Sequence, residues 1–360
     1  MFDSSVLLRL RGIGLAPALV QPLAATMADF DRATPMRVAE VQREGLLLHD
    51  GEAQHEARQL PALRNALDAQ SDALAVGDWV LAQRNEFGEW WVHERLPPHN
   101  QLARRLHDGR DKVTRVVIVS NVDTALVVMG LDHDFNLRRL ERYVALVRMA
   151  GVGAVVVLTK RDLCADADAR QAQVQAVLPA GVLAVAVNAL GAEPRAALAP
   201  WLAAGQTLVL LGSSGAGKST LTNALLGHEA QITGANRDGD NRGRHTTTTR
   251  SLHAMPFGAC IIDTPGLRTL RLDGDAQDLA GAFGDIAALA QQCRFRDCRH
   301  ADEPGCAVRE TIGAERLRSY HKLQREARRD TLSALERKAQ VQVWKARGRE
   351  ARMRTNGKRG

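Results

Sequence analysis

The stretch Gly212-Ser-Ser-Gly-Ala-Gly217-Lys218-Ser219 constrains this chain more than any other. It is a full G-x-x-x-x-G-K-[ST] match, preceded by the strand-like QTLVLL and followed by the helix-like TLTNALLG. Such a loop works only where a strand turns into a helix. There, backbone N–H groups and the positive end of the helix dipole converge on phosphate. The expected phosphate-binding set is Gly212, Ser213, Ser214, Gly215, Ala216, Gly217, Lys218, Ser219 and Thr220. Lys218 neutralises the outer phosphates, and the Ser219 hydroxyl is offered to Mg²⁺. The fold must therefore contain an α/β unit with a mostly parallel sheet.

A phosphate loop alone fits ATP or GTP. Downstream, a strand ends in Asp263-Thr264-Pro265-Gly266, a pattern that puts a carboxylate near Mg²⁺ and a flexible Gly266 near the γ-phosphate. Between the two lies GANRDGDNRGRHTTTTR, polar and rich in hydroxyls, in the place of a switch. Some fifty residues upstream of the phosphate loop, VVVLTKRD at 155–162 ends a strand in Thr159-Lys160-Arg161-Asp162. The strand VLAVAV then runs into Asn188-Ala189-Leu190. Asp162 can accept both hydrogen bonds from the guanine edge, which adenine cannot supply. Lys160 can pack over the base, and the Ala189 amide can reach the guanine carbonyl. In an ordinary GTPase the phosphate loop comes first and the base-reading motif last, so the simplest account of the order here is a circular permutation. Cutting the chain after about residue 275 is expected to leave GTP binding and abolish nucleotide-dependent partner binding.

Five ranges follow from the pattern of the whole chain. Residues 1–34 form an extension that reads as a short amphipathic helix. Its Asp3, Arg9, Arg11 and Pro17 are unlike an export signal. Residues 35–98 alternate in short runs (MRVAEV, GLLLHDG, GDWVLAQ, EWWVHERL) separated by turn residues, as in a five-stranded OB-like barrel. Trp79, Trp90 and Trp91 fall here, and core filling is favoured over stacking platforms for bases. Residues 99–275 alternate apolar strands with helix-length segments, the mark of a parallel sheet covered on both faces. Residues 276–345 combine a cysteine cluster with charged helix. Residues 346–360 lack a core pattern and read as a basic disordered tail.

The cluster is Cys293-x4-Cys298-x-His300-x5-Cys306, three thiolates and an imidazole that suit one closed structural Zn²⁺ site. Cys164 and Cys260 are isolated and read as small apolar core residues. Five cysteines arranged this way suit a reducing cytoplasm better than a disulfide framework. From Glu315 to Gly360 there are fifteen Lys/Arg against five Asp/Glu, so the chain's net +7 is a C-terminal property and the remainder carries −3. Such a stretch is drawn to phosphate backbone. No apolar run is long enough to span a bilayer, and no membrane partner is expected. Monomer is the default oligomeric state.

Together the barrel, the permuted motifs, the Arg244-His245-Thr-Thr-Thr segment and the cysteine spacing resemble the ribosome small subunit-dependent GTPase family, RsgA or YjeQ, over roughly 35–320. The resemblance implies a cytoplasmic GTPase that binds the small ribosomal subunit and its rRNA, assists its late maturation and is stimulated by it. It also implies roles for single residues. Leu267 follows Gly266 where Ras-like enzymes place a water-orienting Gln, so His245 becomes the candidate catalytic group. Thr248 is favoured for the switch threonine on Mg²⁺, with Thr247 as alternative. Thr159 stands where the general guanine motif has Asn, which the family tolerates, and Asn188 where Ser is common. Alternatives are a permuted GTPase acting on the large subunit, an RNA-binding module with a vestigial nucleotide site, and a P-loop kinase. The kinase would leave Asp162 and the Thr-rich segment without a task.

Overall fold

The computed structural model describes residues 4–30, 33–107, 113–227, 250–264 and 283–331. Two short helices open the chain, α1 (Ser4–Gly12) and α2 (Pro17–Ala28). The sequence suggests one amphipathic helix here, but Pro17 starts a second helix instead, its fixed φ and missing N–H suiting a first turn. Leu10, Leu15 and Leu23 are fully buried in the main core, so the extension is part of the folded body.

Five strands then close on themselves: β1 (Thr34–Val41), β2 (Leu46–His49), β3 (Gln54–Gln59), β4 (Trp79–Arg84) and β5 (Trp90–Arg95). The circuit runs β1-β2-β3-β5-β4 and back to β1, antiparallel except for β3 against β5. The strand β3 reads QHEARQ and buries only Ala57, which is why alternation does not announce it. Helix α3 (Pro61–Ala69) plugs the barrel with Leu63 and Leu67. Trp79 is fully buried, as the core-filling reading expects, while Trp90 and Trp91 are half-buried beneath the guanidinium groups of Arg84 and Arg58.

A hairpin of β6 (Gln101–His107) and β7 (Val113–Ser120) leads into the second sheet. Its strands are β8 (Thr124–Gly130), β9 (Gly153–Thr159), β10 (Leu183–Ala186), β11 (Thr207–Leu211), β12 (Ser251–Ala254) and β13 (Cys260–Asp263), arranged β10-β9-β8-β11-β13-β12. All neighbours are parallel except β12 against β13. The helices α4 (Leu137–Met149), α5 (Ala167–Val177), α6 (Glu193–Ala197) and α7 (Lys218–Leu226) belong to this unit. The chain enters at β8 in the middle, steps outward to β10, and returns so that β11 fills the place beside β8. Joining the end of β13 to the start of β8 would restore the ordinary order, phosphate loop first and base motif last. The sheet is permuted in connection and not in arrangement.

One pairing, Glu40 with Ser251, joins the barrel to this sheet. A buried arginine makes the stronger link. Arg37 on β1 donates from Nη1 to Ile13 O (2.6 Å) and Thr207 Oγ1 (2.8 Å), from Nη2 to Asn121 O (2.9 Å), and from Nε to Gly77 O (3.2 Å). Gly77 is needed there: at φ +96° a Cβ would lie 2.2 Å from Ser120 O.

Among the described residues three more helices follow: α8 (Gly284–Ala290), α9 (Ala307–Thr311) and α10 (Ala314–Thr331). Phe283, Ile286, Val308, Leu317, Tyr320 and Leu323 share one apolar cluster with Leu140, Tyr143, Val144 and Val147 of α4. Ion pairs rim the contact: Arg316 with Asp285 (2.8 Å) and Glu141 (3.2 Å), Arg142 with Glu326 (2.6 Å), and Arg138 with Glu315. The cysteine-bearing module thus packs on α4. A cut after residue 275 would bare that face, so the expectation that the remainder keeps its nucleotide site meets a physical obstacle.

Candidate functional site

The phosphate loop occupies the junction its sequence demands. Strand β11 ends at Leu211, and α7 begins at Lys218. Gly212, at φ +155°, runs so close to β8 that a Cβ would meet Val128 O at 2.3 Å. Gly217, at φ +90°, precedes α7, and its bare Cα leaves room for Thr159, whose Oγ1 would lie 3.1 Å from a Cβ. Ser214 and Gly215 lie exposed at the tip, Ala216 is buried, and Ser219 and Thr220 are half-buried in the first helical turn. The Lys218 ammonium folds back over the loop, donating to Gly212 O (2.9 Å) and Ser213 O (2.6 Å). The loop thus carries a cation bound to its own carbonyls. Asp263 is buried at the end of β13, and the register of β13 against β11 sets it level with Leu210, at the loop's mouth. Next to it, Thr264 Oγ1 donates to Leu210 O (2.8 Å).

The base-reading motif meets this loop despite the distance in sequence. Because β8 separates β9 from β11 by one strand, Thr159 reaches the loop and donates from Oγ1 to Ala216 O at 2.6 Å. Lys160 takes a left-handed conformation (φ +61°), which turns the chain into the short 3-10 turn Arg161–Leu163. Asp162 on this turn is exposed. Strand β10, parallel to β9, brings the second turn alongside. Asn188 Oδ1 accepts from Leu190 N (2.9 Å), which shapes the turn, and Ala189 is buried. Glu193 ties the two turns together, accepting from Asn188 N (3.0 Å) and from Arg161 Nη1 (3.1 Å). Leu163 and Leu190 stand 75% and 79% exposed on these turns.

The segment after β8 carries two acids that no motif marks. Asp132 Oδ2 accepts from Lys160 Nζ at 2.6 Å, and Asp134 Oδ1 accepts from Ser213 Oγ at 2.5 Å. Glu193, Asp132 and Asp134 belong to no short motif. Asp132 and Asp134 stand just beyond the end of β8, on the side where such a sheet binds ligands, and Glu193 opens α6. His245, Thr247, Thr248, Gly266 and Leu267 lie outside the described residues.

The third group is brought together as its spacing predicts. Cys293 Sγ, Cys298 Sγ, His300 Nδ1 and Cys306 Sγ all lie within 4.8 Å of one another. Cys293 Sγ is 3.9 Å from Cys306 Sγ, and His300 Nδ1 is 3.6 Å and 3.4 Å from these two sulfurs. A tetrahedral zinc with ordinary bond lengths would separate its sulfurs by about 3.8 Å and sulfur from nitrogen by about 3.6 Å. The four atoms can hold a metal ion without moving far. The surrounding backbone supports them: Cys306 Sγ accepts from Arg309 N (3.4 Å), and Glu303 accepts from Arg299 N and Ala301 N. Those amides, led by Arg299, hold the Glu303 carboxyl down to about 2. Cys260 is fully buried, and burial pushes its thiol up to about 11, as suits an inert core residue, while Cys164 is half-buried. No helix among the described residues is long and apolar enough to cross a membrane.

A strand-loop-helix phosphate cradle, a base-reading turn from an earlier strand and a sheet entered in the middle define a circularly permuted P-loop GTPase. A family profile described as RsgA GTPase matches residues 95–273. The small ribosomal subunit biogenesis GTPase RsgA of Xylella fastidiosa (strain 9a5c) is 46% identical over 308 residues, covering 84% of this chain and 88% of that one. The protein of that name from Xanthomonas campestris pv. campestris (strain B100) is 44% identical, covering 84% and 83%. Among solved structures, YjeQ from Thermotoga maritima superposes with a TM-score of 0.61 at 24% identity, covering 82% of this chain and 98% of its own. YloQ, described as a circularly permuted GTPase, gives 0.56 at 21%, covering 84% and 97%. These two share the fold. The chain belongs to the RsgA family of GTPases.

Proposed function

We propose that this chain hydrolyses GTP to GDP and phosphate on the small ribosomal subunit, assists the late maturation of that subunit, and is stimulated by it. What carries the reading is one conjunction: the permuted GTPase sheet is fused to a barrel and a cysteine module, and relatives sharing most of its length are named for small-subunit biogenesis. The large-subunit reading has no such support. A vestigial site would not keep Lys218, Ser219 and Asp263 around a formed loop.

In this reading Asp162 accepts from the guanine edge, Lys160 covers the base, and Ala189 N meets the guanine carbonyl. Thr159, Arg161 and Asn188 shape the turns that hold them. Backbone amides of 212–217 and Lys218 hold the phosphates. Ser219, Asp263 and Thr248 make the surroundings of Mg²⁺, which when bound neutralises charge between the outer phosphates. His245 orients the attacking water, a task the apolar Leu267 cannot perform, while Gly266 lets the chain approach the γ-phosphate. The cysteine site holds Zn²⁺ as a structural cross-link. Ribosomal RNA is met by the barrel, where Trp90 and Trp91 lie under arginines, and by the basic C-terminus. The protein works as a monomer in the cytoplasm.

The test is GTP hydrolysis by the protein alone, with small subunits, and with large subunits, beside a His245→Ala variant. Stimulation by small subunits only, lost in the variant, is expected. Equal rates in all three conditions would sink the small-subunit reading.

A further inference from the structure

The nucleotide site as read from motifs has two walls, the phosphate loop and the base-reading turns. The structure contains a third. The segment between β8 and α4, Leu131-Asp-His-Asp-Phe-Asn136, crosses beside both. Asp132 meets the base side: its Oδ2 accepts from Lys160 Nζ at 2.6 Å, with both side chains about a quarter exposed. Asp134 meets the phosphate side, with its side chain 9% exposed. Its Oδ1 accepts from Ser213 Oγ at 2.5 Å and from Arg139 Nη2 at 2.5 Å, and its Oδ2 accepts from Gly130 N at 3.2 Å.

We propose that this segment is a working part of the GTP site, in which Asp132 is a positioning residue for Lys160 and Asp134 a positioning residue for the phosphate loop. Among the described residues the Lys160 ammonium has no partner besides Asp132, which therefore aims its long side chain. An ammonium on a flexible stem loses rotamer freedom when it settles over a base, and a carboxylate that holds it beforehand removes part of that cost. The Asp132 carboxyl stays charged for this. Partial burial pushes its pKa up, but the Lys160 ammonium and the Asp134 amide outweigh burial and leave it below the usual carboxylate range. Asp134 acts differently. It is bound on three sides and nearly without water, so its contact fixes where Ser213, and with it the entry to the loop, can lie.

The two residues should separate by what they weaken, and the assignment rests on the GTPase reading of Lys160 and Ser213. The experiment measures the Kd of a fluorescent GDP for each full-length variant directly and then, corrected for that Kd, the inhibition constants of GTP and of inorganic tripolyphosphate, which has phosphates and no base. Asp132→Asn is expected to weaken GTP about 3- to 10-fold, leave tripolyphosphate unchanged, and raise KM with kcat preserved, because binding before and at the transition state falls equally. Ser213→Ala removes one donor from Asp134 and leaves its other two in place. It is expected to weaken both displacers about 10-fold, and Asp134→Asn at least as much where it folds. Asp162→Ala and Lys218→Ala test the underlying reading. If neither changes displacement, the site itself is wrongly placed. If they do, and Asp132→Asn leaves GTP unchanged or weakens tripolyphosphate equally, or Ser213→Ala leaves both displacers unchanged, the assignment of a third wall fails.

Discussion

Replacing Arg37 by Met should loosen the barrel from the GTPase sheet. The guanidinium is fully buried, lies 5.3 Å from the Trp79 ring, and donates to four acceptors drawn from four segments. Burial pulls its pKa below the usual arginine value, against the opposing charges of Asp123 and Asp78. Met fills similar volume and supplies no donor. Gly77 O keeps the Asn121 Nδ2 donor at 3.1 Å, and the Thr207 hydroxyl can turn elsewhere. Ile13 O and Asn121 O lose the arginine, each at about 1–3 kcal/mol. Removing a buried cation returns part of this, since burying a charge is itself costly. A net loss of about 3 kcal/mol is expected, or about 4 °C in Tm for a chain of this size. Arg37→Lys should recover less than half, because one ammonium cannot span four directions. Thermal unfolding with limited proteolysis checks this, with cuts expected first between α2 and β1. A Met variant within about 0.5 kcal/mol of the parent would show that the four acceptors find other donors, and the clamp would be refuted.

Asp162→Asn should weaken GTP by at least 100-fold and favour xanthosine triphosphate. Its amide can donate to the second carbonyl of xanthine and no longer accepts twice from guanine; competition binding with the two nucleotides decides. Burial pushes the Asp78 carboxyl up to about 6, against the Ala75 amide and Arg95. The fold then holds a proton more tightly than the unfolded chain between about pH 4 and 6, so this group's stabilising contribution is lost as pH rises through that window. Asp78→Asn should flatten that part of the Tm-versus-pH curve, and parallel curves would contradict it. Removing metal with a chelator, or Cys298→Ser, should lower the Tm and speed proteolysis of 291–306; retained stability with no metal bound would argue against a structural ion. A chain ended after residue 275 should aggregate or bind GTP poorly, since α4 loses the cover of Leu317, Tyr320 and Leu323; full binding by soluble protein would overturn that.

What could be read from the sequence was set by how local the determining physics is. The phosphate loop needs eight consecutive residues and the metal site fourteen, so both are legible. The strands β8, β9 and β11 are continuous apolar runs because helices cover both faces. By contrast β3 carries one buried side chain, and β12 is four residues whose identity depends on its partner β13. Asp132, Asp134 and Glu193 act through partners 28, 79 and 32 residues away, and a lone acid beyond a strand looks like any loop acid. Arg37 is the extreme case. A lysine or arginine in an alternating strand is expected to face water, and only the four acceptors that other segments aim at it explain why it does not.

The permuted entry also sets a timetable. Strand β8 emerges from the ribosome with β9 close behind, and those two can pair at once. Its other edge belongs to β11, which begins about 80 residues after β8 ends. At ordinary synthesis speeds of about 5–20 residues per second that edge waits roughly 4–16 s, bare and apolar in the centre of the future sheet. An unpermuted chain would make the phosphate-loop strand β11 first, complete β12 and β13 on one side of it, and then add β8, β9 and β10 in order on the other. Here the half that reads the base is complete before the half that grips phosphate exists, and the newborn chain must guard an open middle until the second half arrives.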